Sequence, residues 1–98
     1  MDLEQAIAHR LQVTFTYDGH FRTVQPAAYG PHRTTQRLSL RGYQIGGTSS
    51  SAVPPFWRLF TVAQMADILV TTEVFAENPP GYAPGDRHIA SIIELPAG

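Results

Sequence analysis

The sequence predicts a mostly β domain: one short N-terminal α-helix, then about five bent strands that close into a small barrel. Three observations carry this. An apolar stripe at helical spacing is confined to the first dozen residues. Beyond it, apolar residues alternate in short runs bounded by Gly, Pro and Asp-Gly turns. Gly42 sits where the apolar parity of one run reverses, which marks a bulge or the sharp bend by which small barrels turn corners. Ninety-eight residues with no cysteine fit one domain spanning 1–98, with a single core and neither disulfide nor thiolate metal site.

Each element has its own signal. Asp2 and Gln5 form a capping-box pair. Leu3, Ile7 and Leu11 then repeat at helical spacing, which predicts about three turns. Val13 to Tyr17 alternates strictly and reads as a strand, with Val13, Phe15 and Tyr17 on one face. Asp18-Gly19 turns the chain into a second strand over 21–29, where Pro26 belongs at an edge or a bulge. After the Gly30-Pro31-His32 turn, a third strand over 35–45 places Leu38 and Leu40 on the buried face. Arg37, Ser39 and Arg41 take the other face. Residues 46–55 form a loop rich in Gly, Ser and Pro. Residues 56–62 read as a fourth strand and 68–75 as a fifth, with Ile68, Val70 and Val74 in phase. Residues 77–85, with three prolines and two glycines, are irregular. The 89–95 stretch fits helix and strand about equally, and a short turn followed by a strand is preferred. A helix and five short strands with a glycine corner suit an SH3-like barrel of the Sm type.

Charge is unevenly placed. Residues 19–66 contain no Asp or Glu but hold Arg22, Arg33, Arg37, Arg41 and Arg58. That segment is net +5 and the remainder net −6, a separation the overall −1 conceals. It suggests a surface that attracts anions. No apolar run is long enough for a membrane span and the N-terminus is acidic, so a cytoplasmic protein is expected. No pair of histidines has ligand spacing, and no metal or cofactor is expected.

Leu40-Arg41-Gly42-Tyr43-Gln44-Ile45-Gly46-Gly47, the Ser-rich loop, and Trp57-Arg58-Leu59-Phe60-Thr61-Val62 with Ile68 resemble the WYL domain. Nearer still are proteins that consist of that domain alone. Ala6-Ile7-Ala8, the strand ending in Tyr17, Arg22-Thr23-Val24-Gln25-Pro26 and Gly81-Tyr82-Ala83-Pro84-Gly85-Asp86 fit the same pattern, so the resemblance covers nearly the whole chain. The tripeptide that names the family is absent: the matching strand reads Leu38-Ser39-Leu40. The resemblance implies an Sm-like barrel and a regulatory role. Such domains usually follow a DNA-binding helix-turn-helix and sense a nucleotide-like or single-stranded nucleic-acid ligand. The chain has no room for a helix-turn-helix. Regulation of transcription is therefore expected through a DNA-binding partner, or alternatively an association with a phage-defence protein.

The expected ligand-binding residues are Arg37, Arg41 and Arg58 as a phosphate clamp, with Ser39 on the same face as the first two. Arg33 and His32 follow a turn and can reach that face. Tyr43 can stack a base, as can Trp57, although core is the better reading of Trp57. Arg22 has the parity of Val24 and points elsewhere. Against the clamp stands an ordinary solvated sheet face. The 46–51 loop lacks a Walker lysine and reads as a flexible loop, and Asp86 reads as a helix cap. Catalysis is not expected: there is no Cys nucleophile, no nucleophile elbow and no gathered carboxylates. The alternative is an assembly module that pairs through open edge strands. Apolar residues near the C-terminus, Ile92, Ile93 and Leu95, point to a homodimer burying part of 89–95.

Overall fold

The computed structural model describes residues 1–98 as one helix packed on an antiparallel sheet. Helix α1 spans Leu3–Ala8 and is closed by the expected capping box. Gln5 N–H donates to Asp2 Oδ1 at 2.9 Å and Asp2 N–H donates to Gln5 Oε1 at 3.0 Å. Leu3, Ala6 and Ile7 are buried. The helix is shorter than its apolar stripe suggests. Arg10 takes a left-handed conformation (φ 57°), and its carbonyl accepts from Phe75 N–H. The sheet thus captures the chain, and Leu11 opens a strand instead of a third turn.

The strands are β1 (Leu11–Tyr17), β2 (His20–Pro31), β3 (Leu38–Gly47), β4 (Phe56–Thr61), β5 (Ala66–Val74) and β6 (Ile93–Glu94). A one-turn 3-10 helix, Val62–Gln64, joins β4 to β5. The order across the sheet is β4-β3-β2-β1-β5, all antiparallel. β1 pairs with the first half of β2, while β6 pairs with Ala28 and Tyr29 in its second half. No ladder joins β4 to β5, so the sheet is not closed. No helix is long and apolar enough to cross a membrane.

The β1–β2 hairpin turns on Asp18 and Gly19, both at positive φ, the backbone of a two-residue primed turn. Pro26 falls at a bulge as expected: Pro26 faces Gly42 and Ala28 faces Arg41, leaving Ala27 as the extra residue. Gly42 does not mark a parity flip. Leu40, Gly42 and Gln44 all lie on the inner face, and Arg41 and Tyr43 on the outer. The extra residue in β3 is Ile45, at the shift between Thr23 and Val24. Gly42 is required for a different reason: a Cβ there would collide with Val24 Cγ1.

Two other expectations fail at sheet margins. Leu38 is exposed, because it opens β3 opposite Pro31 beyond the core. Ile68 and Val74 are exposed on β5, whose ladder with β1 is interrupted by two register shifts. The C-terminal stretch forms a turn and a two-residue strand, not a helix. Ile89 and Leu95 are buried by their own chain, leaving Ile92 exposed. The core gathers Leu3, Ile7, Val13, Phe15, Tyr17, Val24, Leu40, Phe60, Phe75 and Leu95 between the sheet's inner face and α1.

Candidate functional site

Register decides which arginines meet. Gly42 pairs with Arg58, and Arg41 pairs with Leu59. Directly opposed residues share a face, so Arg58 lies on the inner face with Leu40 and Phe60, and Arg41 lies on the outer face. The expected clamp of Arg37, Arg41 and Arg58 therefore does not form. Arg37 precedes β3 and is exposed, and its carbonyl accepts from His32 N–H at 2.7 Å and from Ser39 Oγ at 3.0 Å. Ser39 is buried with its hydroxyl used in that bond. Arg33 is exposed and its N–H donates to His88 O at 2.8 Å. The His32 Nδ1 accepts from the N–H groups of Thr34 and Thr35.

The inner face holds a cluster that includes the one arginine set aside. Arg22 shares the parity of Val24, and that same parity carries it inside: it is fully buried opposite Phe15. Its Nε and Nη2 donate to Tyr17 O at 3.3 and 3.2 Å, and Nη1 donates to Gln44 Oε1 at 3.0 Å. Gln44 is fixed in turn by donating to Gly46 O and Thr48 O. The Arg22 guanidinium lies 5.5 Å from the Tyr17 ring centroid and 5.6 Å from that of Phe60. Arg58 occupies the same platform, at 5.3 and 5.7 Å. Two guanidinium groups therefore share two aromatic rings, which are themselves edge-to-face at 5.0 Å. Tyr17 is held by its hydroxyl, which donates to Gln64 Oε1 and accepts from Thr61 N–H.

One carboxylate serves this pair. Asp18 Oδ2 lies 3.4 Å from Arg58 Nη2, with Asp18 59% and Arg58 30% exposed. No carboxylate forms an ion pair with Arg22. Burial lowers the Arg22 pKa from its ordinary value, and the neighbouring Arg58 charge pushes the same way.

On the outer face, the charge of Arg41 is matched by a carboxylate. Its Nε donates to Asp86 Oδ2 at 2.6 Å, and the two side chains are 22% and 12% exposed. The Arg41 Nη2 also lies 3.2 Å from His88 Nδ1, and His88 N–H donates to Asp86 Oδ1 at 2.8 Å. Asp86 therefore ties down a turn and an arginine; no helix follows for it to cap. Burial pushes its carboxyl up, but the hydrogen bonds from Arg41 and His88 outweigh that and hold it below its ordinary value. Trp57 is half-buried on this face, outside the fully buried core but packed against it. Its ring lies 5.2 Å from Tyr43 and 6.3 Å from Tyr82, the latter nearly parallel at 29°. A cavity of about 250 Å³ opens there, lined by Ala28, Arg41, Trp57, Gly81, Tyr82, Ala83 and Asp86.

Comparison of the chain with protein-family models, curated proteins and solved structures found no match. No group of three or more His, Asp or Glu side chains is placed to hold a metal ion.

Proposed function

We propose that the chain is a regulatory ligand-binding module of the WYL type on a small Sm-like barrel, and that it binds a nucleotide-like or single-stranded nucleic-acid anion. The strand order β4-β3-β2-β1-β5, the N-terminal helix and the 3-10 turn between β4 and β5 support the barrel reading. One observation carries the anion reading: Arg22 and Arg58 sit on the same two rings, and the one carboxylate paired with either is Asp18, which is exposed and 3.4 Å from Arg58. Two like charges in one apolar niche repel, and a partly buried anion relieves that repulsion better than a solvated side chain can. Phosphate oxygens accept from Arg58 in bidentate fashion, while Arg22 contributes its field from beneath.

Titration of fluorescent single-stranded oligonucleotides and mononucleotides tests the reading. Wild type binds at low salt with a log-log salt slope of roughly −1.4 if two phosphates are neutralised. Arg58→Gln binds at least about tenfold more weakly. No binding at low salt, or equal binding by the two proteins, overturns it. Control of transcription or of a defence system would then act through a protein partner.

An assembly module remains the second reading, supported by the open β4 and β5 edges and by exposed Ile68, Leu69 and Val74 on β5. It requires a homodimer or larger species whose stability barely responds to salt, and sedimentation that returns one chain's mass at every concentration excludes it.

A further inference from the structure

We propose that the outer face carries a second binding site, separate from the arginine pair, for an uncharged planar heterocycle of about nucleobase size with adjoining hydrogen-bond donor and acceptor groups. It rests on different residues and does not depend on the anion reading.

The cavity beside Trp57 and Tyr82 has the two components such a ligand requires. The first is a stacking surface. The Trp57 indole N–H donates to Pro80 O at 2.8 Å, and the Tyr82 hydroxyl donates to Leu95 O. Both polar tips are engaged with protein carbonyls, so both rings are held in place and offer a ligand their faces. Their centroids are 6.3 Å apart. A third ring inserted between them would need roughly 4.5 Å to each centroid on opposite sides. A ligand ring therefore lies across the open faces that line the cavity.

The second component is a polar edge with no net charge. Arg41 and Asp86 form a short pair in the cavity wall. Arg41 uses Nε and Nη2 on Asp86 and His88, which leaves the Nη1 donors without a protein partner. Asp86 accepts from Arg41 and His88 N–H, and a carboxylate has about four acceptor positions. The cavity lining thus offers donors on Arg41 and acceptors on Asp86 to the N–H, C=O or ring N groups of a heterocycle. A charged ligand would have to compete with a 2.6 Å ion pair; a neutral one leaves it intact. Size sets the class as well. About 250 Å³ falls below the range of drug-sized pockets and is the size of a ring system, with the rest of a ligand left in solvent at the open mouth.

Trp57 is the only tryptophan in the chain, so its fluorescence reports on this cavity directly. Guanosine, adenosine and uridine, which carry no phosphate, are the probes. At least one of them should quench Trp57 saturably, with a midpoint that does not move between low and high salt. Arg58→Gln should leave that midpoint unchanged, which separates this site from the inner one. Tyr82→Leu and Asp86→Asn should each weaken quenching at least tenfold. Ala83→Leu narrows the cavity at an exposed position while keeping every member of the ion pair and both rings, and should also abolish quenching. Absence of quenching by all three nucleosides at millimolar concentration overturns the proposal. So does a midpoint that Ala83→Leu leaves unchanged.

Discussion

The two faces of one sheet treat arginine in opposite ways. On the outer face Arg41 has a carboxylate at 2.6 Å, a histidine ring beside it, and a turn held in place around both. On the inner face Arg22 and Arg58 share a platform of two aromatic rings and a single exposed carboxylate at 3.4 Å. The outer arginine has its charge neutralised within the protein. Buried Arg22 is satisfied in hydrogen bonds through Nε, Nη1 and Nη2, but it has no carboxylate of its own. Hydrogen-bond satisfaction and charge neutralisation are separate conditions, and Arg22 meets only the first.

That contrast can be broken most forcefully at Phe60, which lies beneath both inner guanidinium groups and contacts Phe15 at 4.9 Å. Phe60→Ala should cost about 3–5 kcal/mol in urea denaturation and remove anion binding together with it. Tyr43→Ala, on the half-buried outer face, should cost visibly less. A Phe60→Ala protein that kept wild-type stability would show that the inner platform is not packed as described.

The carboxylates sharpen the comparison at smaller scale. Asp86→Ala strands a half-buried Arg41 and should destabilise by about 1–3 kcal/mol. Asp18→Asn removes the charge of an exposed, stretched pair while keeping a residue that tolerates the turn's positive φ, and should change stability by about 0.5 kcal/mol or less. Equal losses in the two variants would erase the distinction between the faces.

How much of this was legible in the sequence depends on range. The capping box, the β1 alternation, the Asp18-Gly19 turn and the Pro26 bulge are local, and local chemistry determines each. The face that Arg58 occupies depends on the β3–β4 register, which no single strand contains. Arg41 finds Asp86 45 residues away, so that carboxylate reads as a cap until the chain is folded. Leu38 and Val74 alternate correctly but lie where the sheet runs past its core. Arg22 was the most instructive: alternation placed it inside, and general experience that arginines are exposed argued against looking for it there.

Smaller effects follow from pH. Asp86 is held below its ordinary value, so its contribution is present above about pH 4 and is lost as pH falls through the lower native value. Thermal melts of wild type should therefore fall more steeply below pH 4 than those of Asp86→Asn. Tyr82 is pushed up to about 12 by burial, with Glu94 and Asp86 adding to it. Its contribution is complete below about pH 10, the ordinary tyrosine value, and is lost as pH rises toward 12. Tyr82→Phe should flatten that alkaline decline, and an unaltered pH profile would place Tyr82 outside the buried contact with Leu95.

The central claim is that the inner arginines lack a counter-ion and that Asp18 only stands in for one. Affinity for a phosphate-bearing mononucleotide, measured for wild type, Asp18→Asn and Arg58→Gln at low and high salt, tests it most directly. The account predicts that Asp18→Asn binds most tightly, wild type next and Arg58→Gln most weakly, with the spread shrinking as salt rises. Asp18→Asn binding no better than wild type, or all three binding alike at low salt, would contradict it.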